Sequence, residues 1–289
     1  MGVPYAEVIG DPIAHSKSPL IHNFWFEKLG IEAEYRRCCV RADELGAYFD
    51  QRRADRDWRG CNVTMPHKEA VLPFAGTLET RAEKAGAVNT IVPKGNGATG
   101  FNTDAMAIQH ILEGVTKPAH PGHVATYVQI IGAGGAARAA TIGAADAGYP
   151  DFDFFNRSLD RARSMASSLG LSPDAFAHPL EALGPIRGPD EGPDDHGYSH
   201  IVINATGMGM LGNADLPIHL EDYFPDTIVI DLAYGDRPTK LVRDGRRLGL
   251  RVYDGLHVLT AQAARAFKLF FGADAPREHD AELRELLTA

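Results

Sequence analysis

Cysteine, positive charge and long apolar runs are all in short supply in this chain, and each shortage removes a class of protein. Three cysteines occur, Cys38, Cys39 and Cys61. Their number is odd, and the adjacent pair is too constrained for an ordinary disulfide. No Cys-x-x-Cys spacing is present, so a disulfide-stapled scaffold is excluded, no metal is expected, and a reducing compartment fits. No apolar run approaches the roughly 20 residues that span a bilayer. The start, Met1-Gly2-Val3-Pro4-Tyr5, has no basic region ahead of an apolar core, so a cytoplasmic protein without a membrane partner is expected. The sequons at Asn62, Asn156 and Asn204 are then coincidences. A formal net charge of −9 leaves no footprint for nucleic acid. A local basic pocket for a phosphate survives such an acidic average.

What is present is globular composition: 289 residues, 44% hydrophobic and 23% charged, enough for a sizeable core and two domains. The first half alternates. An apolar strand ends at Gly10, a helix runs from Pro19 to Leu29, a strand covers Tyr35 to Val40, and a helix begins near Ala42. In the first of these helices Ser18 suits the N-cap, Pro19 the first turn, Ile21, Phe24, Trp25 and Leu29 one apolar face, and Gly30 the stop. A strand through Cys61 to Thr64, a helix after Lys68, a hairpin at Gly95-Asn96-Gly97 and a helix from Asp104 to Leu112 complete this half.

After a boundary near His120 to Tyr127, the pattern becomes strand Val128 to Ile131, a glycine loop, a small-residue helix to Gly148 and strand Phe152 to Phe155. Strands at His200 to Ile203, Ile228 to Leu232 and Leu250 to Tyr253, with a helix over Thr239 to Leu248, extend a parallel sheet. The acidic, Gly/Pro-rich run Arg187 to Tyr198 reads as a solvated loop without an assigned role. A long helix from about Leu256 to Phe271 and a polar helical end follow. The expected class is α/β: an N-terminal α/β domain over residues 1–104, completed by 256–289, and a Rossmann-type doubly wound domain over 105–255.

Gly132-Ala133-Gly134-Gly135-Ala136-Ala137 fits Gly-x-Gly-x-x-Gly/Ala between an apolar strand and a helix, where small residues let a pyrophosphate approach backbone N–H groups. The next strand ends in Asn156-Arg157-Ser158. Arg157 and Arg161 can offer guanidinium contacts to a 2′-phosphate, with Asn156 and Ser158 as further donors, so NADP(H) is favoured over NAD. Arg161 also reads as a solvated helix residue. Asp153, the competing ribose ligand, lies inside the strand rather than at its tip and reads as structural.

Polar chemistry stands ahead of this loop. Asn62-Val63-Thr64-Met65-Pro66-His67-Lys68 sets an amide, a hydroxyl and an amine around a proline-fixed turn, and together they can converge on one small polyhydroxylated ligand. Ser16-Lys17-Ser18-Pro19 presents two hydroxyls that could hold a carboxylate. His67 and the other histidines lack a paired metal-ligand spacing.

Together with Gly86-Ala87-Val88-Asn89-Thr90, Asn102-Thr103-Asp104, and Asp254-Gly255 followed by Gln262, these motifs are ordered and spaced so that the chain resembles the shikimate dehydrogenase family over nearly its whole length. The resemblance implies NADP-dependent interconversion of 3-dehydroshikimate and shikimate. It implies Lys68 and Asp104 as the catalytic pair, Ser16 and Ser18 as carboxylate holders, and Thr64, Asn89 and Gln262 as ligands of ring hydroxyls or carboxylate. Tyr234 would reach substrate from the other domain. Ala205-Thr206 with Met208 or Met210 would lie near the cofactor, and Gly255 near its nicotinamide. Two departures stand out: Asn204-Ala205-Thr206-Gly207-Met208-Gly209-Met210 is richer in methionine and glycine than many family members show, and His257-Val258-Leu259 replaces the family's usual Gly-Met-Leu. The chemistry suits Lys68, because hydride delivery to a ketone builds charge on oxygen that an ammonium can stabilise and protonate. A quinate/shikimate or aminoshikimate dehydrogenase and a non-catalytic nucleotide-sensing relative are the alternatives, and a monomer or homodimer is expected.

Overall fold

The structure, a computed structural model, describes residues 2–95, 97–115, 126–185, 199–210 and 212–289. Residues 120–125 of the expected boundary, the acidic run Arg187 to Tyr198 and the hairpin residue Asn96 lie outside them. The chain divides into two compact units, one of Met1–Ala107 with Leu259–Ala289 and one of Ile108–Val258.

The first unit is built on a six-stranded mixed sheet. Its elements are β1 (Tyr5–Gly10), α1 (Ser18–Leu29), β2 (Glu34–Cys39), α2 (Leu45–Arg53), β3 (Trp58–Val63), β4 (Thr77–Leu78), α3 (Thr80–Ala85), β5 (Thr90–Lys94), β6 (Gly97–Phe101) and the start of α4 (Thr103–Glu113). Strand order is β2-β1-β3-β5-β6-β4. β1 pairs parallel with β2 and β3, whereas β5 runs antiparallel to β3 and β6.

Helix α1 buries Ile21, Phe24, Trp25 and Phe26, and Gly30 stops it at φ +62 with its N–H turned back onto Glu27 and Phe26 carbonyls. Leu29, expected on that apolar face, is exposed. Trp25 and Phe26 pack edge-on and tilted against Phe267. The strand β1, apolar in pattern, carries Glu7 fully buried. Tyr48 Oη donates to its carboxylate at 2.8 Å and Arg52 Nε at 2.5 Å, which offsets the burial of the charge.

The expected helix after Lys68 does not form. The Lys68 carbonyl accepts from Val88 N–H at 2.8 Å, and Leu72 N–H turns to Glu69 instead. The result is a turn and a short 3₁₀ segment over Leu72–Phe74, with Pro73 inside it. The chain then makes two short elements that carry no periodic signal, β4 and α3.

The second unit carries β7 (Thr126–Ile131), α5 (Gly135–Asp146), β8 (Phe152–Asn156), α6 (Leu159–Ser168), α7 (Pro173–Phe176), β9 (Ala177–Pro179), β10 (Ser199–Asn204), β11 (Ile228–Asp231), α8 (Lys240–Arg247) and β12 (Arg251–Tyr253). Its sheet is parallel throughout, in the order β12-β11-β10-β7-β8-β9. The order reverses between β7 and β10, the switch point beside which doubly wound sheets bind nucleotides. The chain returns to the first unit within α9 (Gly255–Phe271) and ends in α10 (Asp280–Thr288).

Candidate active site

The topology of the first sheet gathers four loops at one edge. β1 and β3 are parallel and end together, with Ile9 opposite Val63. β5 is antiparallel to β3, so its first residue, Thr90, sits opposite Asn62 and Phe101, the last of β6. The segments Asp11–Ser18, Thr64–Lys68, Asn89–Thr90 and Asn102–Asp104 therefore share that edge.

Within the first loop Ser16 and Ser18 are buried. Ser18 is not the N-cap. Lys17 occupies that position in helical geometry without a side-chain cap, and Ser18 N–H donates instead to Ser16 Oγ at 3.3 Å. With Pro19 supplying no N–H, the first turn has one fewer donor to satisfy. The Ser18 hydroxyl consequently makes no protein hydrogen bond among the described residues.

Lys68 Nζ donates to Asp104 Oδ2 at 2.5 Å, with both side chains largely buried. Asp104 stands in the first turn of α4, where a carboxylate is favoured by the helix dipole. Thr64 N–H bonds Ile9 carbonyl at 2.9 Å, pinning the proline turn to β1. His67 is buried, and its Nε2 donates to Val40 carbonyl, which makes it a structural tie.

Asn89 is oriented on all sides. Its Oδ1 accepts from Thr103 N–H at 2.7 Å and Thr90 Oγ1 at 3.1 Å, and its Nδ2 donates to Thr103 Oγ1. Thr103 Oγ1 also donates to Gln262 Oε1 at 3.1 Å, which fixes the Gln262 amide with its nitrogen turned away from that bond. Asn62, prominent in the motif, is consumed by support: Tyr35 Oη donates to its Oδ1 and its Nδ2 donates to Thr90 Oγ1. Thr90 and Thr103 lay within the motifs without an assigned role, and Tyr35 carried no signal beyond its place in a strand.

In the second unit Gly132 has φ +117, and a Cβ there would lie 3.1 Å from Ala205 carbonyl, so the strand-to-helix turn requires glycine. Gly134 caps α5 without a side chain, leaving Ala133, Gly135 and Ala136 around a helix N-terminus of exposed backbone donors. Beside it is a cavity of about 210 Å³ whose lining includes Ile131, Asn156, Arg157, Thr206, Met208 and Asn213. Asn156 Nδ2 donates to Ser158 carbonyl, and Ser158 Oγ caps α6 by accepting from Arg161 N–H, so both side chains are partly committed to the local turn. Arg157 and Arg161 form no ion pair among the described residues. Asp153 is buried inside β8 and hydrogen-bonded to His178 Nε2, its carboxyl held above the usual range by burial.

Thr206 is held by Asn204, to whose Oδ1 its N–H and hydroxyl donate at 3.0 and 2.7 Å, and its Oγ1 accepts from Met208 N–H. Asn204 in turn donates to buried Asp231 at 2.8 Å. Gly255 opens α9 against β11's loop; a Cβ there would sit 2.3 Å from Ala233 carbonyl, next to half-buried Tyr234. A phosphate-bearing dinucleotide fits this donor set: bare helix N–H groups, a hydroxyl-bearing loop and unpaired guanidiniums.

The family model for the shikimate dehydrogenase substrate binding domain matches residues 8–91. Over 99% of its length the chain is 43% identical to a shikimate dehydrogenase (NADP(+)) of Sphingopyxis alaskensis, covering 97% of that protein. Among solved structures it is similar to shikimate 5-dehydrogenase of Thermus thermophilus in complex with NADP(H) and shikimate, with TM-score 0.79, 31% identity, and 98% and 99% of the two chains covered. It is also similar to a ligand-free 5-ketofructose reductase of Gluconobacter, with TM-score 0.82, 27% identity and 99% of each chain covered. The chain belongs to the shikimate dehydrogenase family.

Proposed function

We propose that this protein is an NADP-dependent shikimate dehydrogenase, reversibly reducing 3-dehydroshikimate to shikimate, with Met1–Ala107 and the C-terminal helices as substrate domain and Ile108–Val258 as cofactor domain. The observation that carries the reading is the Lys68–Asp104 pair at a sheet edge that also bears Ser16, Ser18, Thr64 and the oriented amides of Asn89 and Gln262. NADP(H), when bound, supplies or accepts the hydride. Lys68 donates a proton to the carbonyl oxygen as the ketone is reduced, and Asp104 holds the ammonium in place. Ser16 and Ser18 grip the ring carboxylate, while Thr64, Asn89, Gln262 and Tyr234 read hydroxyls and carboxylate. Arg157, with Arg161, Asn156 and Ser158, binds the 2′-phosphate, and Thr206, Met208 and Gly255 flank the nicotinamide. Three free thiols support a reducing, cytoplasmic setting.

The test is a panel of initial rates on shikimate and quinate with NADP and NAD, and on 5-ketofructose with NADPH and NADH, repeated with Lys68→Ala. Shikimate with NADP is expected to lead, and the variant to lose ~10²-fold or more in kcat with a smaller change in KM. Preference for quinate or the ketose would reassign the substrate, and near-normal turnover would remove Lys68 from the proton transfer.

A further inference from the structure

Arg37 lies on β2 with its side chain on the face turned to α1, and both its Nε and Nη2 donate to the backbone carbonyl of Ser16, at 2.9 and 2.5 Å. Its neighbour Arg36 is neutralised on the opposite face, 3.5 Å from Glu7 and 3.8 Å from Glu34, and stacked over Tyr5. Arg37 has no such partner: among the described residues no carboxylate is within ion-pair distance of it. A guanidinium is an expensive group to spend on one backbone carbonyl if only a loop needs tying down, since a neutral donor would serve.

Two consequences follow from the geometry. The Ser16–Lys17 peptide is trans and planar, so fixing its carbonyl toward β2 points the Lys17 N–H the other way. That N–H makes no hydrogen bond among the described residues, and the Ser16 and Ser18 hydroxyls stand on either side of it in the chain. Charge is the second consequence. The hydroxyls are neutral, Lys68 is balanced by Asp104, and Lys17 Nζ is drawn off to Leu287 carbonyl at 2.7 Å. Among the described residues Arg37 and Lys17 are the cations at this loop without a carboxylate partner, and of the two Arg37 is the one bonded to the loop itself, the Lys17 ammonium being turned away to α10.

We infer that Arg37 is the positioning residue of the carboxylate grip, holding the Ser16–Ser18 turn in its binding geometry and supplying the positive charge that a bound ring carboxylate answers. The inference rests on the proposed carboxylate role of Ser16 and Ser18. Because Arg37 is exposed, its replacement leaves no core cavity.

The test compares shikimate with its methyl ester, which keeps the ring and hydroxyls but lacks the charge, by titration calorimetry on the full-length wild type, Arg37→Ala and Arg37→Lys. Arg37→Ala is expected to weaken shikimate binding about tenfold and the ester by less than about twofold, with NADP affinity unchanged. Arg37→Lys keeps the charge without the fork and should recover part of the loss for shikimate. An equal loss for acid and ester, no loss for either, or a parallel loss of NADP binding would overturn the inference. Turnover of shikimate by the wild type is measured alongside: binding without turnover would sink the dehydrogenase reading while the Arg37 comparison stands, and a wild type that binds neither compound would overturn both.

Discussion

Three arginines near the end of β8 differ in what neutralises them, and the difference bears on cofactor choice. Arg163 is paired with Asp174 at 3.1 Å and approaches Asp160 at 3.8 Å. Arg157 and Arg161 have no carboxylate partner among the described residues, and Arg157 lines the cavity beside the glycine loop. An unpaired guanidinium at the tip of the second strand is suited to a 2′-phosphate, which it can meet with two parallel hydrogen bonds. Asp153 is removed from competition by its bond to His178. Arg157→Ala should therefore raise KM for NADP about tenfold more than KM for NAD, while kcat at saturating cofactor changes little. Steady-state kinetics with both cofactors reads this directly. Equal changes would mean that Arg157 serves the loop rather than the phosphate.

At the scale of elements, the ends of β10 and β11 are joined by Asp231, whose carboxylate accepts from Asn204, Ala233 and Thr239. Burial pushes its pKa up to about 6, against the pull of those three donors. An acid whose folded pKa lies above its unfolded value holds a proton in the fold that the unfolded chain has already released. Stability from this group is present at about pH 4 and lost as pH rises through 6, by roughly 3 kcal/mol. The stability of wild type relative to Asp231→Asn, measured by urea unfolding, is expected to fall across that window. A flat difference would show that the carboxyl titrates normally. These same elements show what could be read from residues alone. β7, the glycine loop and α5 were legible because apolar runs and small residues report local geometry directly. The missing helix after Lys68 was not, since its carbonyl is claimed by Val88, twenty residues on. Short edge strands such as β4 and β9 bury too little to leave a period. In the candidate site the motif residues stood out by type, but Arg37, Tyr35 and Thr90 act through partners far away in sequence, and Ser18 looked like a cap only until Ser16 Oγ took its N–H.

At the scale of the whole molecule, the first unit is assembled from two ends of the chain. α1 and α10 are tied by Lys28 to Glu282 at 2.8 Å and by Lys17 to Leu287 carbonyl. Leu283 and Leu287 are buried, so the last helix adds apolar burial to a unit begun more than 250 residues earlier. Lys17 sits between Ser16 and Ser18, which makes α10 a support of the proposed carboxylate grip as well as of the core. Leu283→Ala should lower unfolding free energy by about 2–4 kcal/mol, the usual cost of emptying a leucine site. Its effect on local opening separates two kinds of cooperativity. If each unit opens by itself, amide exchange will accelerate in α1, β1 and α10, while β7, β10 and β11 keep wild-type protection. Acceleration of equal size in both sheets would instead show that the chain opens as one unit, and the division into two compact bodies would then describe geometry without describing stability.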